Sequence, residues 1–291
     1  MSWRLLPAAL FALFVLLALA PTTAAAAGVA FCGAVYPTTT TTIECREPGV
    51  ADLGPLRALP RLTTLLVDGA AVDDLSPLAD VTDLEWLSLA GSPVADLTPL
   101  AGLRQLEYLD VAATRVADLA PLADLTGLRT LYAQGSAVAD LAPLRALAGL
   151  RTLGLGSTQV VDLAPIAGLK QLEVLDISGT QVVDLAPLRG LGRLTILDLT
   201  ATIVRDLGPL ARLPALERLY CGRGRVADLA PLAALPSLLY LGLLDTPVRD
   251  VRPLATLTTL ETLYLPRGVP DEQVESLRRA LPQATIRVAR R

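Results

Sequence analysis

The sequence predicts an α/β solenoid in which a parallel β-sheet lines the concave side and short 3₁₀ segments form the convex side. A five-residue signature, Asp-Leu-x-Pro-Leu, recurs ten times at intervals of 22 residues. A fixed period of this length indicates an array of stacked repeats. Leucines follow each signature at short regular spacings, and no unit has room for a long helix. The ten copies begin at Asp52, Asp74, Asp96, Asp118, Asp140, Asp162, Asp184, Asp206, Asp228 and Asp250, with Ile166 and Val251 as conservative replacements for leucine.

The unit that begins at Asp74 shows how one coil is predicted to form. Leu87 and Leu89 alternate with other residue types, which is the two-residue period of a half-buried strand. Leu78 and Val81 lie three residues apart, a spacing that suits a tight 3₁₀ turn. The proline of each signature fits the first turn of such a helix, because its φ is fixed and it has no N–H. Coils must then stack, since one coil cannot bury its own apolar face.

The second half of this unit, Leu84-x-x-Leu87-x-Leu89-x-x-Ser92-x-Val94, resembles the leucine-rich repeat consensus. The 22-residue period with its Asp-Leu-x-Pro-Leu signature resembles the internalin-type subfamily of bacterial surface proteins, and the resemblance spans residues 52–268. It implies a horseshoe-shaped solenoid that recognises another macromolecule. The chain departs from the family where Asn is usual, because that column holds Ser92, Thr114, Ser136, Thr158, Thr180, Thr202 and Thr246.

Two polar columns are predicted to be structural. The buried hydroxyl groups need hydrogen-bond partners, which we expect on the backbone of the adjacent coil. The aspartates that begin the units are expected to close Asx-type turns by accepting backbone N–H groups. A row of calcium sites is the alternative, but each unit offers only one fixed carboxylate where calcium takes about six or more oxygens.

The chain divides into four predicted segments. Residues 1–27 have the early positive charge, apolar run and alanine-rich site of a signal peptide, with an uncleaved anchor as the alternative. Residues 28–51 form the N-terminal cap, and residues 52–268 form the array of ten units. Residues 269–291 form the C-terminal cap. In that cap the sequence predicts an amphipathic helix over Asp271–Leu281 and a last strand over Ala284–Val288, and it predicts a solvated end at Arg287, Arg290 and Arg291.

Cysteine usage supports export. Cys32 and Cys45 lie close together in a segment predicted to leave the cytoplasm, so we expect a disulfide between them, with two unpaired thiols as the alternative. Cys221 replaces an inward leucine and is expected to be a buried free thiol.

Composition excludes several functional classes. The chain has no histidine, which removes the commonest general base and metal ligand. A net charge of −4 lacks the basic footprint that nucleic-acid binding needs. Three scattered cysteines do not make a zinc site. We therefore expect no enzymatic activity, no metal and no cofactor.

Aromatic residues single out one face of the array. The array contains one tryptophan and five tyrosines, and all six occupy strand positions that point away from the inward leucines. Such residues are enriched at interface hot spots. The alternative is that strands favour aromatic residues regardless of function. The predicted partner-binding residues are Trp86, Tyr108, Asp110, Tyr132, Asp176, Asp198, Arg218, Tyr220, Tyr240 and Tyr264.

The centre of this face carries acids and glycines. Asp176 and Asp198 share an outward position on neighbouring strands, about 4.8 Å apart. Carboxylates about 5 Å apart occur in retaining glycosidases, but an open sheet has no pocket that excludes water, so we reject that function. Gly154 and Gly156 predict a shallow notch between Tyr132 and Asp176, where a protruding side chain or a sugar ring of a ligand would rest.

The functional expectation is an exported, monomeric protein-binding module that is secreted or held in the periplasm or cell envelope of a bacterium. Its partner is expected to be a protein, bound on the concave face. Glycan binding through ring stacking and aspartate hydrogen bonds is the alternative. We expect no nucleic-acid partner and no stable membrane insertion once the signal is cleaved.

Overall fold

The computed structural model describes residues 28–289 and has the architecture of a leucine-rich repeat solenoid. Its main feature is a 12-stranded sheet in which strands pair in the order of the chain, every pair parallel. The fold prediction is therefore confirmed. The strands are β1 (Val29–Phe31), β2 (Ala34–Tyr36), β3 (Thr42–Glu44), β4 (Thr64–Leu66), β5 (Trp86–Ser88), β6 (Tyr108–Asp110), β7 (Thr130–Tyr132), β8 (Thr152–Gly154), β9 (Val174–Asp176), β10 (Ile196–Asp198), β11 (Arg218–Tyr220), β12 (Tyr240–Gly242), β13 (Thr262–Leu265) and β14 (Thr285–Val288).

Leucines fill the interior of the stack in unbroken columns. Each strand from β4 to β13 pairs with its neighbour in a register of 22 residues, so Leu131 lies opposite Leu153 and Leu153 opposite Leu175. All three side chains are 0% exposed. Because the strand period is two, this register sends the flanking side chains to the concave surface in columns of their own.

The convex side consists of short 3₁₀ segments, each with the signature proline at its start. Their buried leucines, such as Leu78 and Leu144, pack into the same core. The segments are Gly54–Ala58, Ser76–Asp80, Thr98–Leu100, Ala120–Leu122, Ala142–Ala146, Ala164–Ile166, Ala186–Gly190, Gly208–Leu210, Ala230–Ala234 and Arg252–Thr256.

The aspartates that begin the units close Asx-type turns, as predicted. In all ten units a carboxylate oxygen accepts the backbone N–H of the residue two positions later, at 2.7–3.0 Å. These bonds lower the pKa of Asp74, where the N–H and hydroxyl of Ser76 both donate to the carboxylate. The signature aspartate therefore closes the turn that leads into each 3₁₀ segment, which begins two residues later.

The buried serine and threonine hydroxyls that replace the usual Asn form hydrogen bonds with other partners than the ones predicted. Six of these side chains donate to the carbonyl three residues earlier in their own coil, at 2.6–2.8 Å, and not to the adjacent coil. A short hydroxyl reaches the carbonyl that the turn folds back toward it, but it does not span the roughly 4.8 Å to the next coil. The seventh, Ser92, has a buried Oγ with no partner among the described residues.

Both ends of the stack are covered. At the N-terminal end, β1 and β2 form an antiparallel hairpin, and the predicted Cys32–Cys45 disulfide is present, with Cα atoms 5.8 Å apart. At the C-terminal end, α1 (Asp271–Ala280) buries Val274 and Leu277, and β14 pairs with β13. The cap helix and last strand are thus confirmed to within a residue. The predicted signal segment lies outside the described residues, within which no helix has the length and apolarity of a membrane span.

Candidate partner-binding face

The concave surface is built from two outward columns, one on each side of the inward leucines. The first column holds the residue before each inward leucine of the strands, and the second holds the residue after it. Trp86, Tyr108 and Tyr240 stand in the first column. Tyr132, Tyr220 and Tyr264 stand in the second. All six aromatic residues of the array therefore share one face, as the alternation predicted.

Three of these residues form the N-terminal aromatic cluster, which comprises Trp86, Tyr108 and Tyr132. The rings of Trp86 and Tyr108 stack with centroids 3.9 Å apart, and Tyr108 meets Tyr132 edge-on at 5.9 Å. Trp86 remains 45% exposed, whereas both tyrosines are half-buried. Burial, with the nearby charge of Asp110, raises the pKa of Tyr108 and of Tyr132, so both phenols stay protonated. The cluster offers flat aromatic surface with hydroxyl donors.

The other three form the C-terminal aromatic cluster, which comprises Tyr220, Tyr240 and Tyr264. The ring centroids of Tyr220 and Tyr240 lie 4.6 Å apart, and those of Tyr240 and Tyr264 lie 5.8 Å apart. The guanidinium of Arg287 lies 5.7 Å from the centroid of Tyr264, and its Nη1 donates to the Tyr264 hydroxyl at 3.3 Å. Burial raises the pKa of Tyr240 to about 12. This cluster is thus aromatic and cationic together.

Arg287 is the residue of this face that sequence reasoning missed. It was expected at a solvated end, but β14 continues the sheet and places it beside Tyr264 in the second column. The predicted strand over Ala284–Val288 carried the signal, because an outward position on that strand continues the concave face. Arg218, by contrast, was predicted on this face and lies there, exposed at the start of β11.

The predicted notch between the clusters is absent. A Cβ built on Gly154 would meet the Gln134 amide and would lie 2.8 Å from Cδ1 of Tyr132, so these two side chains already cover the glycine. Gly156 is covered in the same way by the side chains of Asp176 and Ser178. The prediction was wrong because the missing side chains leave space that side chains of the preceding coil fill at Gly154 and side chains of the following coil fill at Gly156.

The three predicted acidic residues of this face form hydrogen bonds with the protein's own backbone. Asp110, Asp176 and Asp198 each accept the backbone N–H of the residue two positions later, at 2.7–2.8 Å. Asp198 is only 3% exposed, so little of its carboxylate is accessible to a partner. Asp110 and Asp176 remain half-buried.

Asp176 provides a test of how burial acts on this face. Burial raises the pKa of Asp176, and the hydrogen bonds from Ser178 and Gln134 offset only part of that shift. The pKa of Asp176 is therefore higher in the folded protein than in the unfolded chain. Its protonated form contributes stability below the unfolded pKa, and that stability is lost as the pH rises through the folded pKa. Asp176→Asn cannot ionise, so we expect it to raise the Tm by roughly 2 °C at pH 7, with a smaller difference near pH 3.

The matched control for that substitution is Asp74→Asn. The pKa of Asp74 is lowered by its hydrogen bonds, so its charge contributes stability above the unfolded pKa that is lost as the pH falls. Asp74→Asn is therefore expected not to raise the Tm at pH 7. Thermal unfolding followed by circular dichroism at both pH values checks this, and a lower Tm for Asp176→Asn at pH 7 would contradict it.

The thiol and the possible metal ligands of residues 28–289 complete the description of the reactive groups. Cys221 is a buried free thiol, as predicted, and burial raises its pKa so that the thiolate does not form. Within residues 28–289 no three metal-ligating side chains gather around one point.

Comparison with known proteins places this architecture in a family. No protein-family model and no curated protein sequence matches the chain. An internalin (InlF) of Listeria monocytogenes superposes with a TM-score of 0.81 at 26% identity, covering 88% of this chain and 76% of that one. An internalin C2 of the same species gives 0.60 at 30% identity, covering 62% and 82%.

A leucine-rich repeat protein of Leptospira interrogans shares the fold at 18% identity, with a TM-score of 0.66 over 80% of this chain and 74% of that one. Four observations support the same family: the repeat signature, the Asx turns, the sheet of stacked coils, and 30% identity over 82% of internalin C2. The chain belongs to the internalin-type leucine-rich repeat proteins of bacteria.

Proposed function

We propose that this chain is an exported module that binds a protein partner through its concave face. The observation that carries the proposal is the gathering of every aromatic residue of the array into two clusters on that face. Exposed Trp and Tyr provide large contact area at low cost in conformational entropy, and they dominate interface hot spots. Internal columns of leucine leave these rings no role in the core.

The dimensions of the face suit a protein. Strands in a sheet lie about 4.8 Å apart, so the eight steps from Trp86 to Tyr264 span roughly 38 Å. That length accommodates a standard interface of about 800 Å² on each partner. A small ligand would use only a fraction of it. The open surface also lacks the enclosure that catalysis requires, which supports a binding role without enzymatic activity.

Export is supported by the cap. The Cys32–Cys45 disulfide is typical of proteins in oxidising compartments. The predicted signal segment over residues 1–27 agrees with that location. We therefore propose that the protein acts outside the cytoplasm, either secreted or retained in the periplasm or cell envelope, and that it acts as a monomer.

The test is affinity capture from envelope extract with one substitution in each aromatic cluster. Tyr132→Ala and Tyr220→Ala are each expected to weaken binding of the captured protein by about 2 kcal/mol, roughly thirtyfold, because each removes a half-buried ring from the face. The Tm should change little. Surface plasmon resonance with the captured protein measures the affinities.

The control variant is Arg193→Ala, which removes an exposed side chain that bonds Gln171 away from the two outward columns. It is expected to bind like the original chain. Unchanged binding in both tyrosine variants would remove the concave face from the proposal. A glycan array with the same proteins separates the competing hypothesis, since a glycan signal lost in Tyr132→Ala would favour sugar recognition.

A further inference from the structure

A groove opens at the C-terminal end of the concave face. Its volume is about 670 Å³, and its walls include Leu244, Tyr264, Ile286, Arg278 and Arg287. Leu244 is 38% exposed, which is unusual for a leucine in this chain, whose other leucines lie mainly in the core. The groove thus combines aliphatic surface with two guanidinium groups.

The two arginines differ in how far their charges are compensated. Arg278 forms an ion pair with Glu275 at 2.6 Å. Arg287 is exposed, its contacts are with the ring and hydroxyl of Tyr264, and none of the ion pairs within residues 28–289 includes it. A guanidinium group has five N–H donors, and only one bond from Arg287 to a side chain is present among the described residues, so an exposed Arg287 has donors left for a planar anion.

Charge is distributed unevenly along the two outward columns. From β3 to β10 the charged members of these columns are acids, namely Glu44, Asp110, Asp176 and Asp198. From β11 to β14 the charged members are Arg218 and Arg287. Asp198 lies in register with Tyr220 of the C-terminal cluster but is only 3% exposed. The accessible charges are therefore acidic beside the N-terminal cluster, at Asp110, and basic beside the C-terminal cluster, at Arg218 and Arg287, a difference that would orient a partner.

We propose that the C-terminal groove binds a segment of the protein partner in which a carboxylate side chain is flanked by aliphatic residues. The carboxylate would pair with Arg287, and the aliphatic residues would cover Leu244 and Val288, which line the groove and are partly exposed. This inference rests on the proposed function and adds the chemistry of the partner and its direction on the face. A carboxylate is favoured because guanidinium groups recognise it through paired hydrogen bonds, and the groove's apolar wall distinguishes such a segment from a free anion.

The test uses the full chain and the peptide acetyl-Leu-Glu-Leu-amide, with acetyl-Leu-Gln-Leu-amide as the uncharged counterpart. Binding is followed by the NMR signals of ¹³C-labelled tyrosine rings. The acidic peptide is expected to bind about tenfold more tightly than its counterpart and to shift the signals of Tyr264 ahead of those of Tyr108. Arg287→Gln should reduce the preference to about onefold.

Arg279→Gln is the matched control, because it removes one exposed positive charge from the same end of the molecule but from a residue outside the groove. It should leave the tenfold preference in place. Equal affinity for the two peptides, an unaltered preference in Arg287→Gln, or displacement of the peptide by an equal concentration of inorganic phosphate would each overturn the inference. If these occur while Tyr220→Ala still impairs partner capture, the proposed function stands and only the charge assignment fails.

Discussion

Replacing Leu153 with alanine is expected to lower the free energy of unfolding by about 3 kcal/mol. Leu153 lies at the centre of β8, is 0% exposed, and stands in register between Leu131 and Leu175. The substitution removes buried methyl groups and leaves a cavity that the flanking coils cannot close, because their own positions are set by the backbone ladder. Urea denaturation followed by circular dichroism measures the loss.

The neighbouring residue provides the control. Thr152 is half-buried on the concave side of the same strand, and Thr152→Ala should change the free energy by no more than about 0.5 kcal/mol. A loss below about 1 kcal/mol for Leu153→Ala would contradict the account of the core. Since each coil contacts only its neighbours, we expect the loss to weaken the array at its middle, between the two aromatic clusters.

Removal of the disulfide by Cys32→Ser with Cys45→Ser is the second large effect. The two cysteines are 13 residues apart, and closing a loop of that length contributes about 3 kcal/mol in the chain-entropy description. The bond also holds the β1–β2 hairpin to the end of β3, the first strand of the 12-stranded sheet. We expect the Tm to fall and amide exchange in β3 and β4 to increase before exchange in the central strands.

The free thiol gives the control for that experiment. Cys221→Ala leaves the bridge intact, and it should not expose β3 to exchange because Cys221 lies far along the array in an inward column. A reducing agent should reproduce the effect of the double substitution in the unmodified chain. If reduction leaves unfolding and exchange unchanged, the disulfide does not stabilise the cap.

The repeat explains why so much of this fold could be predicted from sequence. A constant interval of 22 residues fixes the phase of every strand once one is assigned, so Trp86 and Tyr264 could be placed on the same face without coordinates. The Asx turns followed from the chemistry of a short carboxylate before a helical turn. Local spacing and composition likewise gave the disulfide and the cap helix.

Features that depend on how side chains settle against one another could not be predicted. The burial of Asp198 and the covering of Gly154 by Gln134 depend on which neighbour occupies the available space. The hydroxyl of Thr158 donates to the carbonyl of Leu155 in its own coil, because the turn brings that oxygen to 2.6 Å from Oγ1. Arg287 was missed because the cap breaks the 22-residue interval, so the periodic pattern no longer indicates which way a side chain points.

The register of the sheet makes the spacing of the two aromatic clusters a matter of counting. Three strands, β8 to β10, lie between Tyr132 and Tyr220, and each adds one fixed step of about 4.8 Å. Duplicating or deleting one 22-residue unit there would move the clusters apart or together by that single increment without altering either one. The number of repeat units thus sets the distance between the two clusters, and partners of different sizes could be matched by adding or removing units.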